Sequence, residues 1–110
     1  MDIVFANKKL GGLCNSEKNL RKKYGARMAR LIQRRLFDLD AVLNLEEMRL
    51  LPGRCHVLKH DLKNHLALDL VHPDRLVFKP NHDPLPKTNG TLSWVGVTKI
   101  EVVGIGDYHQ

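Results

Sequence analysis

The stretch LPGRCHVLKHDLKNHLALDLVHPDRLVFKP, Leu51 to Pro80, is where the apolar pattern changes period. Upstream of it, apolar residues recur at three- and four-residue steps. Downstream of the Pro52-Gly53 break they alternate with polar ones, as in strands that bury one face. Three short extended runs follow, RCHVLKH, HLALDLV and RLVFK, separated by Asp61 to Asn64 and by His72-Pro73-Asp74. Those separators are turn residues, and their length fits antiparallel hairpins. In the second run Leu66, Leu68 and Leu70 share one face, with Ala67, Asp69 and Val71 on the other. In the third, Leu76 and Phe78 oppose Arg75, Val77 and Lys79.

Working back from that break, NLEEMRLLPG offers Asn44 as a cap and a short helical turn. Before it, Met28, Leu31, Ile32, Leu36, Leu39 and Leu43 mark a helix from Ala26 to about Val42, with Arg27, Arg30, Arg34 and Arg35 looking mainly outward. NSEKNLRKKYG precedes it as a short basic helix, capped by Asn15 or Ser16 and stopped at Gly25. MDIVFAN, alternating Ile3 and Phe5 against Val4 and stopping at Asn7, reads as a first strand. Forward of the break, PNHDPLPKTNG reads as a loop, and VTKIEVVGI as the last strand, running into the tail GIGDYHQ. The expected fold is α+β: an N-terminal strand and helical hairpin packed on one face of a small, mostly antiparallel sheet, the other face left to work.

At 110 residues and 43% hydrophobic, the chain is expected to form a single domain over residues 1–110. No run approaches the ~18 apolar residues of a membrane span, and MDIVFANKK lacks the order of a signal peptide, so a cytoplasmic protein without membrane contact is expected. Cys14 and Cys55 are read as small buried hydrophobes rather than nucleophiles or zinc ligands. The charge is segregated. Residues 1–35 hold ten Lys or Arg against Asp2 and Glu17, whereas residues 36–110 hold eight against ten acids and carry all six histidines. So cationic a segment favours a polyanion or an acidic protein partner.

The histidines do not spell a metal site: on a strand, His56 and His60 are ~13 Å apart, too far for one zinc ion. His60, His65 and His82 sit at strand ends or in the loop and read as solvated surface residues. No metal and no cofactor is expected. Nucleophile elbows and phosphate-cradling glycine loops are absent from the sequence, which removes acyl transfer and nucleotide hydrolysis. What remains are cations and proton carriers on neighbouring strands. His56 shares a face with Leu58, Lys59 lies near the turn, Arg75 begins the third run, and Asp107 and His109 share a face if the last strand stays extended. Such a set can cleave RNA without metal, a base taking the 2′-hydroxyl proton, cations holding the phosphate and an acid protonating the 5′-oxygen.

LPGRCHVLKHDLKNHLALDLVHPDRLVFKP together with VTKIEVVGIGDYH resembles the HigB-type toxins of the RelE and ParE superfamily, through the pattern Gly-x-x-His-x-Leu-Lys, an Arg-x-x-Phe strand and a terminal Asp-Tyr-His. The resemblance implies the toxin of a type II toxin–antitoxin module, a RelE-like fold, and a ribosome-dependent mRNA endonuclease that cuts message in the A site. It implies a catalytic set of His56, Lys59, Arg75, Asp107, Tyr108 and His109, with Arg75 as phosphate clamp, Tyr108 orienting or stacking on a base, and His109 with Asp107 at the acid–base end. Lys8, Lys9, Arg21, Lys22, Lys23, Arg27, Arg30, Arg34, Arg35 and Lys63 would contact ribosomal RNA. The implied partners are a HigA-like helix-turn-helix antitoxin, through which alone DNA is reached, the ribosome and mRNA. HPDR, where many relatives have an aromatic before the Arg, and the proline-rich insertion from Asn81 to Trp94 depart from the family. Two rivals remain: a ParE-like gyrase inhibitor without catalysis, and a basic binding module in which the tail is structural.

Overall fold

The computed structural model describes residues 1–59 and 62–108. Strand β1 (Asp2–Phe5) leads into helices α1 (Lys8–Cys14), α2 (Glu17–Tyr24) and α3 (Ala26–Ala41), then a 3-10 helix over Leu45–Leu50. Strands β2 (His56–Val57), β3 (Leu66–Asp69) and β4 (Arg75–Pro80) follow, then β5 (Lys87–Thr88), β6 (Thr91–Leu92) and β7 (Lys99–Gly106). The main sheet runs β1-β7-β4-β3-β2. Only β1 and β7 pair in parallel; every other pairing within it is antiparallel.

The α+β arrangement stands as expected, because the two periods demand it. The apolar stripe of α3, with Met28, Ala29, Ile32 and Leu39 buried, packs with Leu20 of α2 on one sheet face. That face is Leu66 and Leu68 of β3, Leu76 and Phe78 of β4, and Ile100 and Val102 of β7. Ser16 caps α2 by accepting from the Asn19 amide at 3.2 Å, and Gly25, at φ 85°, ends it. The ammonium of Met1 donates to the carbonyls of Leu39 and Asp40 at 3.0 and 2.9 Å, meeting the negative end of α3. Among the described residues, no helix is long and apolar enough to cross a membrane.

Four expectations need correction. Asn7 does more than end β1: its side chain accepts from the Leu10 amide at 2.8 Å and starts α1. Gly11 and Gly12, poor helix formers, hid that helix in the sequence; Leu10 and Leu13 pack against the main core and hold it. The insertion from Asn81 to Trp94 contains the hairpin β5–β6, turned at Asn89-Gly90 with φ 53° and 80°, the combination such two-residue turns require. The extended run around His56 is a strand over two residues only. Arg35 is buried, 9% exposed, and its Nε donates to the backbone carbonyl of Asp69 at 3.0 Å. It ties α3 to the end of β3 and does not belong to the outward basic surface.

Candidate active site

The sheet face away from the helices is built in three rows, because residues paired across neighbouring strands point the same way. The middle row is His56, Ala67, Val77 and Gly104; one end row is Asp69, Arg75 and Gly106; the other contains Lys79 and Glu101. The register slips between Val77 and Phe78, so that Val103 is an extra residue in β7 and joins this face beside Gly104. The face is not bare. Ala67 and Val77 are fully buried beneath Leu58, Leu62, Val103 and Tyr108.

Tyr108 gets there by folding back. Strand β7 ends at Gly106, and the Tyr108 ring returns over its two glycines: a Cβ on Gly104 would collide with the phenol oxygen, and one on Gly106 would lie 3.7 Å from the ring. The pair of glycines thus makes a flat bed for the ring. Asp107 is exposed beyond the strand end at Gly106. His109 itself, like His60, lies outside the described residues.

Around the end row, two guanidiniums share one carboxylate. Arg54 Nε and Nη2 donate to Asp69 Oδ2 and Oδ1 at 2.7 and 3.1 Å, and Arg75 Nε lies 3.5 Å from Asp69 Oδ1. Desolvation raises the Asp69 carboxyl, but the Arg54 hydrogen bonds and the charges of Arg54, His56 and Arg75 outweigh it and hold the group below its ordinary range. Asp69 is therefore anionic at neutral pH, and the cleft of about 220 Å³ beside it sets Arg54 and Arg75 against Asp69 and Asp74, with His72 in its lining. Neither Arg54 nor Asp69 stood out in the sequence as a site residue. They are fifteen residues apart and meet only because Arg54, at φ 52°, turns the chain at the mouth of the β2–β3 hairpin.

His56 sits at the edge of the middle row with Nδ1 2.7 Å from the Arg54 carbonyl. A carbonyl can only accept, so Nδ1 carries a hydrogen, and in the neutral ring the lone pair is on Nε2. Lys59 is exposed just beyond. Of the expected set, the structure brings His56, Arg75 and Tyr108 onto one face and leaves Lys59 and Asp107 at its margins. Burial pushes the Cys55 thiol up to about 12, against a small opposing effect of Arg49, and the Cys14 thiol up to about 11; neither is a thiolate nucleophile at neutral pH.

Lys8, Lys9, Arg21, Lys22, Lys23, Arg27, Arg30 and Arg34 are exposed on the helices, on the opposite side of the sheet. Arg21 pairs with Glu17 at 3.4 Å and Arg34 with Asp38 at 3.3 Å. Lys8, Lys9, Lys22 and Lys23 line a cleft of about 510 Å³ between α1 and α2. Lys63 is exposed too, but on the β2–β3 connection. His65 and His82 are half buried rather than solvated, and His82 Nε2 accepts the amides of Thr98 and Lys99 at 3.1 and 3.3 Å.

No protein-family model and no curated protein matches the sequence. Solved structures match along the whole chain. The YoeB/ParE toxin from Agrobacterium tumefaciens aligns over 99% of this chain and 100% of its own at 13% identity, with a TM-score of 0.61. A YoeB–YefM complex from Staphylococcus aureus aligns over 100% and 98% at 16% identity and a TM-score of 0.58. The YoeB dimer from the same organism gives 18% identity, the same coverage and a TM-score of 0.57. The chain has the fold of the YoeB and ParE toxins.

Proposed function

We propose that this chain is the toxin of a type II toxin–antitoxin pair and acts as a ribosome-dependent, metal-independent mRNA endonuclease. The observation that carries the reading is a backbone-oriented histidine beside two converging guanidiniums on one sheet face: His56 Nδ1 lies 2.7 Å from the Arg54 carbonyl, which leaves Nε2 as the base of the neutral ring, while Arg54 and Arg75 meet at Asp69. His56 Nε2 takes the 2′-hydroxyl proton, and the 2′-oxygen attacks the adjacent phosphorus. Arg75, with Arg54, stabilises the pentacoordinate charge. The P–O5′ bond breaks as an acid protonates the departing oxygen, leaving a 2′,3′-cyclic phosphate and a free 5′-hydroxyl.

His109, with Asp107, is the proposed acid–base end; Lys59 adds positive charge at the margin, and the Tyr108 ring offers a base a surface to stack on. The exposed lysines and arginines of the helices, with Lys63, are proposed to hold ribosomal RNA. The proposed branch is HigB-type, on the resemblance of the quoted Gly-x-x-His-x-Leu-Lys and Asp-Tyr-His motifs. The partner that silences the toxin is then a HigA-like helix-turn-helix antitoxin, which also carries the pair to DNA.

Induced expression beside a reporter message tests this. Mapping 5′ ends on the transcript should give new ends within translated codons for the wild type. His56→Ala and His109→Ala, verified as folded by circular dichroism, should each lose at least about a hundredfold in cutting. Growth arrest with intact message would transfer the assignment to gyrase inhibition, and equal cutting by both variants would remove their catalytic roles.

A further inference from the structure

At the end of β4 opposite Arg75, the proline-rich insertion closes over the sheet and makes a second pocket, of about 410 Å³. Its floor is the ion pair Lys79–Glu101, at 3.7 Å, from the third row of the outer face. Its walls include His65 and His82, whose protons are placed by the backbone. His82 Nε2 accepts from two amides, so its hydrogen is on Nδ1, which is a donor. His65 Nδ1 lies 3.1 Å from the Lys63 carbonyl and donates to it, so in the neutral ring Nε2 is an acceptor. Asn64 and Asn81 contribute an amide each, with both donor and acceptor capacity.

The charges lining this pocket balance: Lys63 and Lys79 face Asp83 and Glu101. A free phosphate gains little in such a site. A neutral, planar ligand whose edge alternates donors and acceptors gains most, and a nucleobase is that ligand. Arg75 and Lys79 lie on the same face of β4, four residues and ~13 Å apart, so one nucleotide cannot fill both sites. Between them Leu58, Leu62, Val103 and Tyr108 cover Ala67 and Val77, and a strand can pass over this apolar cover with its bases stacked or splayed.

We infer that the pocket beneath the insertion binds one unpaired RNA base, at a position removed from the scissile phosphate, and so gives the enzyme a base preference there. This rests on the reading of the outer face as the track for RNA. The donor on His82 and the acceptor on His65 are set by backbone geometry, which makes the pocket selective rather than adaptable. The insertion contributes Asn81, His82 and Asp83, so selectivity belongs to this segment and not to the shared fold.

The four nucleoside 5′-monophosphates, titrated one at a time into the labelled full-length protein and followed by NMR, provide the test. The His65 and His82 ring signals and the Asn64 and Asn81 side-chain amides should respond to one nucleotide with an affinity about fivefold or more above the others. Asn81→Ala, an exposed change, should abolish that preference. In 5′-end mapping the same variant should flatten the base bias at one position away from the cut. Equal affinities for all four nucleotides, or shifts confined to Arg54 and Arg75, would overturn the inference. Base-selective binding in a protein that leaves message intact would retain the pocket and remove the endonuclease; cut message with an unselective pocket would do the reverse.

Discussion

Gly104 shows at the scale of one residue how the tail is built. Its backbone opposes Val77, and the space a side chain would fill is taken by the Tyr108 phenol. Replacing it with alanine forces the ring off Val77 and Ala67, a case of overpacking that typically costs ~1–3 kcal/mol. Gly104→Ala should therefore lower stability by that amount in urea unfolding, while the same change in a Tyr108→Ala background should cost far less. A double-mutant cycle measures this coupling directly, and additive losses would mean that the ring does not rest on the glycine. The sequence posed the question of two glycines before Asp-Tyr-His but could not supply its answer. A straight strand puts Asp107 and the next histidine on one face, and only the extra residue at Val103 and the end of β7 at Gly106 turn the chain back. Arg54 and Asp69 were hidden for a related reason: an ion pair across a hairpin mouth leaves no local spacing to read.

Among elements, helix α3 was the most legible and its arginines the least. Five apolar residues at helical steps, from Met28 to Leu39, defined its length to within a residue, since packing that stripe is what makes the helix, whereas Leu43, the sixth expected, lies past Ala41 and is exposed. Position on a helical wheel could not separate Arg35 from Arg34, however, because that depends on what the neighbouring loop admits. Gly53, at φ 112°, admits it: a Cβ there would lie 2.7 Å from Arg35 Nε. The loop and the arginine are thus one structural unit. Arg35→Ala should destabilise the protein by roughly 2–3 kcal/mol, through the missing hydrogen bond to Asp69 and the missing packing of its stem. Arg30→Ala, on the exposed face, should change stability by less than about 0.5 kcal/mol. Thermal and urea unfolding of the two variants decide it, and equal effects would show that the buried guanidinium is not a tether. The insertion yielded to the opposite error. Its prolines suggested a loop throughout, although the Thr-Asn-Gly-Thr stretch within it is a hairpin signal that outweighed them in the fold.

For the molecule as a whole, the decisive feature is that charge and chemistry occupy opposite sides of one sheet. The helices carry most of the exposed Lys and Arg of the first 35 residues, and the outer face carries His56, Arg75 and Tyr108. That division was visible in the sequence as a cationic first third followed by a histidine-bearing remainder; the fold gives it direction, because the helices cover one face and the second apolar cluster the other. A layer of sheet and core separates the two, so a single short RNA segment cannot touch both. Under the proposed function, the basic side would serve affinity and the outer side the reaction. Lys22 and Lys23, which line the cleft between α1 and α2, provide the test. Each phosphate that the protein no longer neutralises should reduce the slope of log affinity against log salt by about 0.7–0.9. Lys22→Ala with Lys23→Ala should therefore shift the slope for ribosome binding by up to about 1.4–1.8 and leave the positions of cut sites unchanged at saturating ribosome. Arg35→Ala, buried against Asp69, should leave that slope as it is. A pair of lysine changes that moved the cut sites, but not the salt dependence, would place the reacting RNA on the helical side and reverse the assignment of the two faces.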